Sequence, residues 1–182
     1  MAKKNKFETN AIHVGNKPDS STGSVSPPIN LTSTFAQDGI GKNKGFDYSR
    51  GTNPTRERLE KNIASLEGGY DAIAFASGMA ATTALFQSLK QGDHVIISRN
   101  VYGGTYRMTT QVLSNHGLKF DFVDTTNIQN IKDAIKPETK WVFIETPTNP
   151  MLEITDIKAV SQICQDHNIK FAVDNTFMSP YG

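Results

Sequence analysis

Cysteine is almost absent from this sequence, and no long apolar segment occurs in it. The single cysteine, Cys164, excludes an intramolecular disulfide framework and any metal site built from several cysteines. No window approaches the roughly 18 consecutive apolar residues that a transmembrane helix needs, and the N-terminus lacks the apolar region of a signal peptide. The four histidines do not have the spacing of metal ligands. We therefore expect a cytoplasmic protein without a metal site.

The sequence also has no excess of charge of one sign. The formal net charge of +1 gives no reason to expect nucleic acid or an acidic membrane surface as a partner. With 182 residues, of which 37% are apolar, the chain can bury one sizeable core. Cys164 lies within a helical pattern, which favours a packed thiol over a nucleophile.

The first part of the chain, up to about residue 52, shows little periodicity and is rich in Ser, Thr, Gly, Pro and Asn. It is too long for an ordinary surface loop, which leaves two interpretations, a disordered segment or an arm docked on another surface. The apolar residues Ile29, Leu31 and Phe35 favour a docked arm, with a second subunit as one candidate surface. Asn53-Pro54 then predicts a capped helix start. We place a boundary there, with an arm over residues 1–53 and a larger domain beginning over 54–182.

Short apolar runs alternate with helical patterns in the rest of the chain. The predicted strands span residues 72–76, 95–97, 120–123, 141–144 and 171–173, and the predicted helices span 54–66, 79–89, 104–115, 128–135 and 155–167. Five strands alternating with helices predict an α/β fold, a mostly parallel sheet with helices on both faces. No helix follows the last strand, so we expect the chain to be the front part of something longer.

Small or polar residues follow four of the five predicted strands. They include the helix opening Ser77-Gly78-Met79, whose free N–H groups suit a phosphate, and Tyr102, whose ring suits a planar ligand. They also include the loop of Glu145 and Asn149, which two prolines make rigid, and Asp174. The carboxyl ends of parallel strands share one edge of the sheet, where ligands bind.

Each of these residues also has a purely structural interpretation. A Ser-Gly cap is common, a tyrosine often packs over a turn, and an isolated aspartate after a strand is most often a cap or a turn residue. Their shared edge is what favours a site for one anionic, aromatic ligand. In the arm, an extended Phe46–Gly51 segment would place Tyr48 and Arg50 on one side, where a phenol and a guanidinium suit a phosphate. The alternative is an ordinary surface arginine.

Several motifs occur together, in order, along essentially the whole chain. They are Tyr48-Ser49-Arg50 with Asn53-Pro54-Thr55, Ser77-Gly78-Met79, Val101-Tyr102-Gly103-Gly104-Thr105, Glu145-Thr146-Pro147-Thr148-Asn149-Pro150 and Val173-Asp174-Asn175-Thr176. In these motifs the sequence resembles the pyridoxal-phosphate enzymes of cysteine and methionine metabolism. The resemblance implies part of the large domain of fold type I, the aspartate aminotransferase-like fold, and pyridoxal 5'-phosphate as cofactor.

The resemblance also implies a role for each residue of these motifs. Asp174 would pair with the ring nitrogen of the cofactor, Tyr102 would stack on the ring, and Asn149 would donate to its phenolic oxygen. Ser77, Gly78, Met79 and Thr176 would complete the cofactor site. Tyr48 and Arg50 would reach the phosphate of a neighbouring subunit in a homodimer, commonly within a tetramer that is a dimer of dimers. Asp47, with Tyr48 and Tyr102, would bind the amino-acid substrate, Asp47 receiving its distal ammonium.

The activity that the resemblance implies is γ-elimination on L-cystathionine. Gly104 stands where members that act on methionine usually carry cysteine, which disfavours that substrate. Two alternatives remain open: γ-replacement by a synthase, and a non-catalytic truncated subunit that partners full-length copies. The Schiff-base lysine of the family lies beyond the last residue of this chain, and Lys170 begins its strand at the opposite sheet edge. We therefore expect the 182-residue chain alone to be inactive.

Overall fold

The computed structural model describes residues 6–181. Within that range the chain forms two compact units. The first ends at Ala74 and also takes in Tyr181, and the second runs from Phe75 to Pro180. The sequence predicted a different division, into an arm over residues 1–53 and a larger domain that begins at residue 54. That division refers to the complete protein and stays a prediction.

The first unit contains the arm and two helices, α1 (Phe7–His13) and α2 (Pro54–Leu66). Helix α2 begins as predicted, because the side chain of Asn53 accepts a hydrogen bond from the Thr55 N–H and Pro54 takes the first helical position. Helix α1 was not predicted, since seven residues carry too few apolar positions to show a period. The side-chain amide of Asn62 donates to three backbone carbonyls at the end of α1 and so attaches it to α2.

The arm is partly docked within its own unit. Its Thr34 and Tyr48 form an isolated antiparallel bridge, and the ring of Phe35 lies 5.6 Å from that of Phe46. Ile29 and Leu31, which suggested docking, remain largely exposed on this unit. A docking surface for them on a second subunit stays a prediction.

The second unit is built on a four-stranded, fully parallel sheet in the order β2-β1-β3-β4. Its elements in chain order are α3 (Gly78–Phe86), β1 (His94–Ser98), α4 (Gly103–Arg107), β2 (Lys119–Val123), α5 (Ile128–Ala134), β3 (Thr139–Glu145), α6 (Ile157–Asp166) and β4 (Lys170–Asp174). Alternating side chains of β1 and β3 enter different cores. Ile96 and Ile144 pack with residues of α5 and α6, whereas Val95 and Phe143 pack on the other face with Phe86 of α3. The predicted α/β fold with helices on both faces is confirmed.

Two predicted elements are wrong. Residues 72–76 do not form a strand, because no strand in the described part of the chain lies beside them to form backbone hydrogen bonds. The Ala74 N–H donates instead to the side chain of Glu60. The predicted helix over 104–115 is α-helical only to Arg107 and continues as a π-helical turn (Met108–Val112) and a 3₁₀ turn (Leu113–His116). There the Thr109 hydroxyl donates to backbone carbonyls one turn earlier, in competition with regular helix bonding.

The remaining predicted helices and strands lie within a few residues of the observed ones, and Cys164 is buried in α6 as predicted. None of the helices in residues 6–181 combines the length and apolar character needed to cross a bilayer. In the same range, no three His, Cys, Asp or Glu side chains lie close enough together to hold a metal ion.

Candidate functional site

One cavity lies at the carboxyl edge of the sheet in the second unit. Its volume is about 310 Å³, a size that suits a small ligand. It is lined by Ser77, Gly78, Met79, Tyr102, Thr105, Glu145, Pro147, Asn149, Asp174, Thr176 and Phe177. The predicted site residues of this unit therefore share a single cavity, because the loops after β1, β3 and β4 and the start of α3 all end at this edge.

The amino end of helix α3 forms one wall of the cavity. The Ser77 side chain caps the helix by accepting a hydrogen bond from the Ala80 N–H at 3.1 Å. The N–H groups of Gly78 and Met79 precede the first intrahelical bond and, within residues 6–181, stay available to a ligand. A β-carbon at Gly78 would meet no atom within 4 Å, so the space beside the helix end is open. This end of the helix, with its positive dipole, suits an anion.

The phenol of Tyr102 forms a second wall and lies half exposed, with 47% of the residue accessible. Gly104 allows this position, because a β-carbon there would fall 2.5 Å from Cε1 of Tyr102 and 2.9 Å from the sulfur of Met79. The glycine at this position therefore lets the tyrosine ring lie directly against the backbone.

The loop after β3 carries Glu145 and Asn149 to the cavity. The loop contains two cis peptide bonds, Thr146-Pro147 and Asn149-Pro150. Glu145 is only 5% exposed, and its two carboxylate oxygens accept different backbone N–H groups, those of Tyr102 and Asn149. Burial raises the pKa of the Glu145 carboxyl; the two N–H donors oppose the shift, and the negative charge of Asp174 adds to it.

Asp174 is the last residue of β4, whereas the sequence placed it directly after the strand, and its carboxylate faces a local turn. Both the N–H and the hydroxyl of Thr176 donate to Oδ1 of Asp174, at 3.2 and 2.6 Å. The side-chain amide of Asn175 anchors the same turn to the carbonyl of Thr146. Thr176 thus contacts Asp174 directly, and its predicted contact with a cofactor stays a prediction.

Asp47, Tyr48 and Arg50 belong to the first unit. The segment is not extended beyond Tyr48, which corrects the prediction: the N–H groups of Gly51 and Thr52 both donate to the Tyr48 carbonyl and close a turn. Tyr48 and Arg50 nevertheless come together, because the guanidinium carbon lies 4.9 Å from the centre of the phenol ring. Asp47 accepts the N–H of Tyr48. Arg50 lines a separate depression of about 840 Å³ in this unit. The roles predicted for these three residues stay predictions.

Sequence reasoning missed three residues of the cavity wall, because Thr105, Pro147 and Phe177 were not assigned to the site. Glu145 was placed at this edge of the sheet, but no role was predicted for it. Thr105 follows Tyr102 by three residues and so lies on the same side of a helix start, which was a usable signal. Pro147 and Phe177 follow Glu145 and Asp174 closely, but nothing in the sequence shows which way their side chains point.

The sequence of the chain is similar to those of known proteins of one family. The sequence matches the profile described as Cys/Met metabolism PLP-dependent enzyme over residues 8–182. It is 51% identical over 177 residues to cystathionine gamma-lyase of Homo sapiens, and 49% identical over 175 residues to the probable cystathionine gamma-synthase of Herpetosiphon aurantiacus. It is 48% identical over 175 residues to cystathionine beta-lyase of Lactococcus lactis subsp. cremoris. Each alignment covers 96% of this chain and, in that order, 44%, 55% and 46% of the relative.

Solved structures show the same likeness. Cystathionine gamma-lyase from Lactobacillus plantarum, crystallised with L-serine, matches with a TM-score of 0.92 and 47% identity over 97% of this chain and 46% of that one. The metB protein of Corynebacterium glutamicum matches with a TM-score of 0.94 and 46% identity over 98% and 47%. The predicted fold class, part of a type I large domain, is thereby confirmed. The chain spans about half the length of the curated relatives it matches.

Proposed function

Because the chain belongs to the Cys/Met metabolism PLP-dependent enzyme family, we propose that it forms the cofactor-binding part of an enzyme that cleaves L-cystathionine at its γ-carbon. The reaction would break the bond between that carbon and sulfur, consume one water, and release L-cysteine, 2-oxobutanoate and ammonia. The relatives named as lyases and a synthase of cystathionine support trans-sulfuration chemistry as the class. The single observation that carries the proposal is the cavity where a helix end, a phenol, an amide and a carboxylate meet.

The residues of the cavity fit pyridoxal 5'-phosphate, the cofactor of the family. The free N–H groups of Gly78 and Met79 would hold the phosphate, and the Tyr102 phenol would stack on the ring. Asn149 would donate to the phenolic oxygen. When bound, the cofactor supplies an electron-accepting ring that stabilises negative charge on the α-carbon of the substrate.

Asp174 would hold the proton on the ring nitrogen. Its carboxylate stands at the cavity, with Oδ1 occupied by the two donors of Thr176. Within residues 6–181, Oδ2 accepts no hydrogen bond, so it is available to a ring N–H. A carboxylate beside that nitrogen favours its protonated form and so keeps the ring electron-poor.

The assembly is part of the same proposal. Tyr48 and Arg50 would bind the phosphate in a neighbouring subunit of a homodimer, within a dimer of dimers, and Asp47 would receive the distal ammonium of the substrate. The support is chemical: Arg50 already lies against the Tyr48 ring, and a guanidinium with a phenol suits a dianion. A cytoplasmic location also stays a prediction, which fractionation of the source cells would test.

γ-Replacement by a synthase is the second candidate, favoured by the 49% identity to the protein named as a probable γ-synthase. Product analysis separates the candidates. The natural gene product is given cystathionine alone, or an activated homoserine ester with cysteine. We expect 2-oxobutanoate and cysteine from cystathionine. Pyruvate with homocysteine would identify a β-lyase, and cystathionine formed only from the ester would identify a synthase.

The same assay tests the 182-residue chain by itself. Within residues 6–181, no lysine lines the cavity, so no amine there can serve as the α-proton base. We predict no steady release of 2-oxobutanoate from this chain alone. Turnover by the purified chain would contradict that prediction. A chain that is inactive alone but co-purifies with a longer homologue would favour the non-catalytic partner.

A further inference from the structure

Glu145 is a nearly buried carboxylate at the carboxyl end of β3 that the proposed chemistry does not use. One oxygen, Oε2, accepts the backbone N–H of Tyr102, in the loop after β1. The other, Oε1, accepts the backbone N–H of Asn149, in the loop after β3, at 3.0 Å. The two loops that carry the proposed stacking and hydrogen-bonding groups thus meet at a single side chain.

We propose that Glu145 is a positioning residue that sets the distance between the Tyr102 and Asn149 loops, and so the width of the cavity that receives the flat ring of the cofactor. The inference rests on the proposed function for the identity of the ligand. The link between the loops is independent of it, because it consists of two hydrogen bonds within this chain.

A carboxylate is the side chain that this arrangement needs. An ionised carboxylate accepts at both oxygens, whereas a glutamine has one oxygen and would turn its NH₂ group toward one of the two N–H donors. Aspartate keeps the charge but is one methylene shorter, so it cannot reach both loops from the same backbone position. Bonds from N–H groups to an ionised oxygen are also stronger than bonds between neutral groups.

The placement is costly for a residue that merely closes a turn. Burying a carboxylate is unfavourable, and here the nearby negative charge of Asp174 on β4 adds to the cost. The backbone of Glu145 is also fixed, because its N–H donates to the buried hydroxyl of Ser98 at 3.1 Å. The carboxylate is therefore fixed at both its backbone and its tip, as a rigid spacer must be.

The test follows the backbone amides of Tyr102 and Asn149 by NMR during a pH titration of the 182-residue chain. Because both amides donate to one carboxylate, we expect both signals to titrate with a single shared midpoint above the usual glutamate range. In Glu145→Gln that titration should vanish, and at least one of the two amides should exchange with solvent about tenfold faster. Two different midpoints in the wild-type chain, or unchanged exchange in the variant, would overturn the proposal.

Cofactor binding supplies the second readout. We expect Glu145→Gln and Glu145→Asp to weaken binding of pyridoxal phosphate about tenfold and to reduce the circular dichroism of the bound cofactor. The matched control is Thr139→Val, which removes a buried hydroxyl at the other end of β3 that bonds His94 and the Lys136 N–H. The control should lose stability but keep the amide titration and the affinity. Equal affinity in all the variants would also overturn the proposal.

Failure of the proposed function would look different. If the wild-type chain and the natural gene product bind no pyridoxal phosphate, the proposed function falls, and the shared titration of Tyr102 and Asn149 still decides whether Glu145 links the two loops.

Discussion

Thr176 donates twice to the same oxygen of Asp174, once from its backbone N–H at 3.2 Å and once from its hydroxyl at 2.6 Å. The pair holds the carboxylate in one orientation at the end of β4. Thr176→Val keeps the shape of the side chain and removes the hydroxyl bond, which is worth about 1.5–3 kcal/mol when the acceptor is charged. We expect the dissociation constant of pyridoxal phosphate, measured by absorbance titration, to rise about tenfold.

Thr176→Ser is the control for this prediction, because it retains a hydroxyl at the same position. It should bind pyridoxal phosphate within about twofold of the wild-type chain, since RT ln 2 is well below the energy of one such bond. Equal affinities for the valine and serine variants would show that the hydroxyl does not orient Asp174.

A second prediction concerns the close contact between Gly104 and Tyr102. Gly104→Ala would place a β-carbon 2.5 Å from Cε1 of Tyr102 and 2.9 Å from the Met79 sulfur, so the ring must move. We expect a loss of about 1 kcal/mol in the free energy of unfolding, at the low end for overpacked sites because the Tyr102 ring is half exposed and can shift, measured by urea denaturation. The control is Gly103→Ala, whose β-carbon would meet only the flexible end of Arg107, at 3.3 Å. Equal stability of both variants would contradict the prediction.

The sequence was sufficient for features that depend on local pattern. The apolar runs around Ile96 and Phe143 identify strands of a mostly parallel sheet, because both faces of such strands are covered. Asn53-Pro54 identifies a helix start through capping chemistry alone. Asp174 could be placed at the cavity because the rule that ligands bind at the carboxyl edge needs only the end of a strand.

Features that depend on distant partners could not be predicted. The segment of residues 72–76 is as apolar as a strand. A strand also needs a neighbouring strand to pair with, and the apolar pattern of a segment does not show whether one is present. The hydrogen bond between Glu145 and Tyr102 joins residues 43 positions apart. Its donor is a backbone N–H, which every residue except proline has, so the residue types do not reveal the bond. The site could thus be located from the sequence, but its internal support could not.

A third prediction concerns Arg56, which supports the turn that presents Arg50. Its guanidinium donates to the carbonyls of Ser49 and Gly51 and lies 3.4 Å from a carboxylate oxygen of Glu60. Arg56→Met should loosen that turn. We expect the amides of Gly51 and Thr52, which close it, to exchange with solvent about tenfold faster.

The control for Arg56 is Lys61→Met, which removes an exposed ion pair with Glu57 on the same helix. Exposed pairs contribute roughly 0–1 kcal/mol, so amide exchange in the turn should not change. If both variants speed the exchange equally, the effect belongs to helix α2 as a whole and not to the contact of Arg56 with the turn.

A fourth prediction follows from the raised pKa of Glu145. Its folded-state pKa lies above the usual value of 4.5, chiefly because of burial, so the folded chain binds this proton more tightly than the unfolded chain does. The stability contributed by that proton is full below pH 4.5 and is lost as pH rises through the folded-state pKa. We expect the stability of the wild-type chain to fall across this window more steeply than that of Glu145→Gln, in urea titrations at several pH values. Parallel curves would contradict the prediction.

The last prediction concerns Cys164, which is 1% exposed in helix α6 among the side chains of one core. Burial raises the pKa of its thiol from 9.0 to about 11. At pH 8 the thiolate fraction should fall about 100-fold relative to the unfolded chain, since two pKa units separate the states, and only the thiolate reacts with iodoacetamide. We expect alkylation, followed by intact mass, to be at least about 100-fold slower in the native chain than in 6 M guanidinium chloride. Comparable rates in the two conditions would mean that α6 opens readily, because a closed core leaves the sulfur neither ionised nor accessible.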